Sequence, residues 1–131
     1  MSEQIRVFSV DDHHLVREGL AMVINCQPGM LMVAQASNGR EAIERFREHK
    51  PDVTLMDLRL PDMSGIDALI AIRTEFPEAR IILLTTFDSE SERQRARAAG
   101  ACAFLLKNVH PKELVEIIRC VHIAGEATPT A

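Results

Sequence analysis

Five apolar runs of strand length, at residues 5–10, 30–36, 53–56, 80–85 and 101–106, alternate with stretches of helical pattern, and this alternation constrains the chain more than anything else in it. A strand that returns parallel to its predecessor needs a crossover of about a dozen residues or more, which a helix supplies. The string βαβαβαβαβα therefore calls for a parallel sheet with helices on both faces. The first helix, roughly 13–26, is expected to bury Leu15, Leu20, Val23 and Ile24 on one face, with Arg17 and Glu18 off it. The second runs from Gly39 to about His49, buries Ala42, Ile43 and Phe46, and stops before Pro51. Ser64 suits the cap of the third, with Asp67 three residues on as a short version of the capping-box acid. Ile66, Leu69, Ile70 and Ile72 form its apolar side, and Pro77 ends it. Pro111 fits the first turn of the fifth helix, which buries Leu114, Val115, Ile117, Ile118 and Val121 and ends at Gly125.

The fourth helix, between Ser89 and Gly100, offers nothing larger than alanine for burial. Its propensity is good, and the pairs Glu90 with Arg93 and Glu92 with Arg95 add a few tenths of a kcal/mol each. Packing is expected to be thin, since alanine contributes little transfer energy, and the residues fit equally an easily shifted helix or a solvated one with no signalling role.

A chain of 131 residues fits one domain. Residues 1–124 are expected to form it, and the small polar tail at 125–131, with Pro129, has linker composition. The formal net charge of -4 argues against a nonspecific grip on nucleic acid, which rests on neutralising phosphates. Any contact with DNA is expected through an output domain outside this chain. Cys26, Cys102 and Cys120 lack CxxC spacing and an even count, and are read as buried thiols in a reducing compartment. With no signal-like amino terminus and no run of about 18 apolar residues, a cytoplasmic chain without a membrane span is expected.

The chemistry gathers at strand ends. Asp57 closes the run 53–56, and Asp11-Asp12 follow the run 5–10. Open α/β sheets place their sites just outside the carboxyl ends of the strands. If the two strands are adjacent, three carboxylates converge, and two like charges about 4 Å apart at an effective dielectric near 20 repel by roughly 4 kcal/mol. Such a cluster reads as a cradle for a divalent cation. Thr85 and Lys107 close two further strands. A hydroxyl and an ammonium suit a phosphoryl group carried on Asp57, one oxygen for each. His13 and His14 lack an HxxxH or HxxEH partner and are read as helix-start residues beside an acidic pocket, not as transition-metal ligands. His49, His110 and His122 read as surface or cap residues.

Taken in order, Asp11-Asp12, the segment Met56-Asp57-Leu58-Arg59-Leu60-Pro61-Asp62-Met63-Ser64-Gly65, Thr85 and Lys107 resemble the receiver domain of bacterial two-component response regulators, over residues 7–124. Asp11-Asp12-His13 followed by Leu15-Val16-Arg17-Glu18-Gly19-Leu20, with Leu83-Leu84-Thr85-Thr86-Phe87 and Phe104-Leu105-Leu106-Lys107, looks like the NarL/FixJ group, which usually carries a LuxR-type helix-turn-helix after the receiver. The resemblance implies a flavodoxin-like (βα)5 fold with sheet order 2-1-3-4-5. It implies that Asp57 accepts a phosphoryl group from a sensor histidine kinase in a step needing Mg²⁺ or Mn²⁺. The ion would be held by Asp12, Asp57 and the main-chain carbonyl of Arg59, with waters oriented through Asp11. Thr85 and Lys107 would stabilise the phosphoryl group, Thr85 and Phe104 would switch, and Arg59 and Phe87 would tune phosphoryl lifetime. The fourth helix, fifth strand and fifth helix would form the output face, and a homodimer is among the expected partners. The chain departs from the group's pattern at Ala103, where glycine is common, and in the unanchored fourth helix.

Three other readings compete. An aspartate-nucleophile phosphatase usually wants a second acid two residues beyond the nucleophile, and Arg59 stands there, so the chain is expected to be a signalling domain and not an enzyme. A flavodoxin-like cofactor binder would need a glycine-rich phosphate loop after the first strand, where Asp11-Asp12 would repel phosphate. A stand-alone regulator acting by protein contact is the third.

Overall fold

The computed structural model describes residues 4–125; residues 1–3 and the linker-like residues 126–131 lie outside what it describes. Five strands alternate with five helices: β1 Ile5–Val10, α1 His14–Asn25, β2 Met30–Ala36, α2 Gly39–His49, β3 Val53–Asp57, α3 Gly65–Glu75, β4 Ile81–Thr85, α4 Glu90–Ala99, β5 Ala103–Leu106 and α5 Pro111–Ala124. The strands form one parallel sheet in the order β2-β1-β3-β4-β5, as expected. Every residue of β3 and β4 is buried, which is why these strands read as unbroken apolar runs.

The two-residue period of the strands sorts the core into two layers. Val53, Leu55, Ile82 and Leu84 pack with Ile24 of α1 and with Leu114, Val115, Ile118 and Val121 of α5. Met56, Ile81 and Leu83 face the other way, onto Ala42 and Phe46 of α2, Ile66, Leu69 and Ile72 of α3, and Ala96 of α4. Asn38, Ser64, Ser89 and His110 cap α2, α3, α4 and α5, each accepting a backbone N–H of the first turn.

Several packing expectations are overturned. Leu15 is 81% exposed while Ile24 is fully buried; they are nine residues, about two and a half turns, apart and so point in opposite directions. Ile70 lies at the rim of its helix's apolar stripe and is exposed. Cys26 and Cys120 are exposed and Cys102 is half-buried, so the thiols are not core residues; Cys26 sits past the last turn of α1, and Cys120 lies beside the buried Ile118 and Val121, not among them. On α4 the Glu92–Arg95 pair forms at 3.9 Å, but Arg93 leaves Glu90 for Asp88 at 2.7 Å and lies over the ring of Phe104, 4.9 Å from its centre. Ala96 is the one buried residue of that helix.

The contrast between the two faces of α1 and the α5 core gives a direct test. Ile118→Ala should cost about 2–5 kcal/mol by urea unfolding, and Leu15→Ala should stay within about 0.5 kcal/mol of the parent. Comparable losses in both variants would contradict this packing.

Candidate functional site at the carboxyl end of the sheet

Register places the acidic groups together. Val10 pairs with Met56 across β1 and β3, so Asp11 and Asp57 emerge side by side. Asp57 pairs in turn with Leu84 of β4, and Thr85 with Leu106 of β5, so Thr85 and Lys107 close the neighbouring strands. Backbone bonds continue past the strand ends: the Asp11 amide donates to Ala36 O at 3.0 Å, Leu58 to Leu84 O at 2.8 Å and Lys107 to Thr85 O at 2.7 Å.

Lys107 Nζ lies between the two buried acids, 2.7 Å from Asp11 Oδ2 and 3.0 Å from Asp57 Oδ2. Asp57 Oδ1 accepts the Arg59 amide at 3.2 Å. Asp11 Oδ1 accepts the His13 amide at 2.9 Å, and the His13 Nδ1 atom lies 2.9 Å from it and 3.2 Å from Asp12 Oδ1. One ligand atom from each of Asp11, Asp12, His13 and Asp57 falls within 4.8 Å of the others. A single imidazole joins this group, while His14 turns to Glu18 at 2.7 Å.

Burial acts to raise Asp11, but the bonds from Lys107 and His13 together hold it below its ordinary value. Asp57 goes the other way. Burial pushes it up and outweighs the bonds from Lys107 and the Arg59 amide, with the charge of Asp11 adding to the rise. Burial would lower Lys107, yet its two carboxylate partners keep it above its ordinary value. The donor set is three carboxylates around a gap, one of them exposed at Asp12. Oxygen-rich, partly solvated and incompletely neutralised by one ammonium, it fits a hard divalent cation such as Mg²⁺.

Other expected residues stand farther from the carboxylates. The Thr85 hydroxyl is buried and occupied by the backbone of Phe87, giving to its carbonyl and taking from its amide at 3.3 Å. Phe104 is half-buried beneath Arg93. Phe87 is exposed, and the side chain of Arg59 reaches outward to Glu92 Oε1 at 3.3 Å.

Two glycines read from the sequence only as lying at helix starts carry a tighter constraint. A Cβ on Gly65 would collide with the carbonyl oxygen of Asp57, so only glycine lets the start of α3 press against the strand end. Its amide donates to Leu58 O at 2.6 Å. A Cβ on Gly39 would strike the side chain of Met63. Beside it, Asp62 accepts the amides of Gly39 at 2.7 Å and Arg40 at 3.0 Å, so the loop after β3 caps α2. The signal available was a Ser-Gly and an Asn-Gly step at two helix starts, which fits capping equally well.

The family model for the response regulator receiver domain matches residues 7–119. The transcriptional regulatory protein YxjL of Bacillus subtilis (strain 168) is 42% identical over 125 residues, covering 95% of this chain and 57% of that protein. The crystal structure of a two-component response regulator of the LuxR family from Aurantimonas sp. SI85-9A1 superposes with a TM-score of 0.90 at 37% identity, covering 98% of this chain and 91% of that one. The signal receiver domain of NarL from Mycobacterium tuberculosis gives 0.89 at 32% identity, over 93% and 98% of the two chains. The chain spans little more than half the length of the curated relatives it matches. With the sheet order, the strand-end acids and matches over nearly its whole length in agreement, the chain belongs to the response regulator receiver domains and has relatives of the NarL and LuxR type.

Proposed function

We propose that this chain is the phosphoacceptor domain of a two-component transcription regulator, with Asp57 as the residue that carries the phosphoryl group. The observation that carries the reading is the Lys107 ammonium shared by Asp11 and Asp57 at the mouth of the sheet. A carboxylate oxygen of Asp57 attacks the phosphorus of a phosphohistidine on a sensor histidine kinase. The P–N bond breaks, and its electron pair stays on the departing imidazole nitrogen, which takes up a proton. Such transfer relies on positioning and charge stabilisation more than on covalent help from the protein.

Asp12, Asp57 and the main-chain carbonyl of Arg59 would hold Mg²⁺ or Mn²⁺, with Asp11 orienting its waters; when bound, the ion offsets the repulsion between acids and phosphoryl oxygens. Lys107, already next to Asp57, keeps one phosphoryl oxygen. Thr85 gives up its weak bonds to Phe87 and donates to another. Phe104 moves behind it, and the surface of α4, β5 and α5 changes for a partner. Arg59 and Phe87, two residues beyond Asp57 and Thr85, flank the approach of a hydrolytic water and set how long the phosphoryl group lasts. Residues 1–124 form the receiver, and residues 125–131 begin a linker to a LuxR-type helix-turn-helix through which DNA is contacted. The relatives support this: YxjL is a transcriptional regulatory protein nearly twice as long as the matched region. The domain works as a cytoplasmic signalling module whose own chemistry is confined to accepting and slowly losing the phosphoryl group. Among the described residues no helix is long and apolar enough to cross a membrane.

Incubation with Mg²⁺ and acetyl phosphate, followed by intact-mass measurement, should add one labile phosphoryl group to the parent and none to Asp57→Asn, and EDTA should abolish the gain. Equal labelling of parent and variant would remove Asp57 from its role. Lys107→Ala should still take up the group but lose the NMR shifts of α4 that accompany it; a response like the parent's would contradict the coupling assigned to the ammonium.

The raised Asp57 also predicts a pH effect. Between the ordinary value of 3.8 and the raised folded value, the folded state holds more protons at Asp57 than the unfolded chain. Its contribution to stability therefore falls as pH rises through that window and stays unfavourable above it. Asp57→Asn, which leaves Lys107 paired with Asp11, should be more stable than the parent at pH 7. Thermal melts should show this gain shrinking as pH drops towards 3.8. A variant that melts at or below the parent at pH 7 would refute the sign.

A further inference from the structure

Arg59 belongs to two parts of the molecule at once. Its amide is bound to Asp57 Oδ1 at 3.2 Å, and its guanidinium is bound to Glu92 Oε1, in the first turn of α4, at 3.3 Å. No other described ion pair runs from the β3–α3 loop to α4. That helix has little else to hold it. Its single buried side chain is Ala96, with Ala99 packed beside the same core, and Arg93 lies over Phe104 and bonds tightly to Asp88 just before the helix. Glu92 is the more enclosed partner, its side chain 16% exposed against 63% for Arg59. The pair closes over a cleft of about 340 Å³ whose lining includes Leu58, Ser64, Ile66 and Asp67.

We propose that the Arg59–Glu92 ion pair is a latch that couples the state of Asp57 to the seating of α4, the guanidinium exchanging the Glu92 carboxylate for a phosphoryl oxygen. The inference rests on Asp57 being the phosphoacceptor. A phosphoryl group there brings three acceptor oxygens to within two residues of Arg59; Lys107 and Thr85 would each take one and a bound metal the third, and every oxygen keeps a further lone pair that a guanidinium can use. A guanidinium is weakly hydrated and shaped to take oxyanions, so it passes between carboxylate and phosphate readily. Once Arg59 leaves, Glu92 keeps only its longer contact to Arg95, within its own helix. An apolar anchor would hold α4 whatever the charge on Asp57; a charged one answers to it. Of the α4 side chains, Glu92 is the one that forms a described ion pair with the loop following the phosphoacceptor, whereas Arg93 turns to Asp88 and Phe104.

Amide hydrogen exchange of residues 93–99 in the chain of residues 1–131 reads the latch. Without phosphodonor, Glu92→Gln should exchange about two- to five-fold faster than the parent, the range of a half-exposed ion pair. Because Glu92→Gln also removes a favourable first-turn charge from α4, Arg59→Ala decides the matter: it leaves the helix sequence intact and should give the same acceleration, with no further gain in the double variant. With Mg²⁺ and acetyl phosphate, the parent should rise to the rate of Glu92→Gln, while Glu92→Gln changes less than the parent and gains the same phosphoryl mass. Parent-like exchange in Arg59→Ala, or additive effects in the double variant, would overturn the latch. Phosphoryl gain with unchanged α4 exchange would overturn the coupling and leave the phosphoacceptor reading standing. Absence of phosphoryl gain in the parent would overturn both.

Discussion

The ammonium of Lys107, held between Asp11 and Asp57, is the interaction on which the site depends. Two carboxylates at the end of a nearly dry sheet repel, and burial makes each costlier to ionise. One cation cannot neutralise both. The imbalance divides the pair: Asp11, with His13 as well as Lys107, is held ionised, and Asp57 carries the shortfall. A group that is buried, negative and under-compensated is one whose neighbours favour the arrival of another positive charge.

That arrangement needs a frame that does not yield. The central strands provide it, with β3 and β4 buried along their whole length and the β1–β3–β4–β5 register placing each polar residue one step past an apolar run. The helices are unequal partners in the frame. α3 and α5 commit several large side chains to the core, whereas α4 contributes only the small side chains of Ala96 and Ala99 and otherwise presents charged side chains. Apolar anchoring is therefore weaker at α4 than at α3, which packs on the same face of the sheet.

The sheet was legible because strands covered on both faces leave a continuous apolar signature, and Asp11, Asp57, Thr85 and Lys107 were legible because each interrupts such a run at its end. Less visible was what depends on direction. Leu15 satisfied an apolar pattern by identity and failed it by angle, pointing away from Ile24. The cysteines carried no positional signal, and exposure was decided by helix geometry. Thr85 was placed correctly on its strand, but its hydroxyl is engaged with Phe87, a local choice of rotamer that no spacing encodes. Gly65 and Gly39 read as helix-start residues, whereas their chief constraint is the approach of Asp57 and Met63 from distant sequence. Arg93 had one acid, Glu90, at helical spacing, and its turn to Asp88 and its position over Phe104 follow from the tertiary fold.

The β3–α3 loop is fastened on its other flank by Asp62, which takes two amides at the start of α2, while Gly65 seats the chain against Asp57 without a side chain between. A loop pinned this way cannot relax towards α2 when its centre is disturbed. On the opposite flank, across the cleft, the described ion pair to α4 is the one between Arg59 and Glu92. The carboxylate that caps a remote helix thus also anchors the segment leaving the strand of Asp57, so two stretches far apart in sequence share a single fastening.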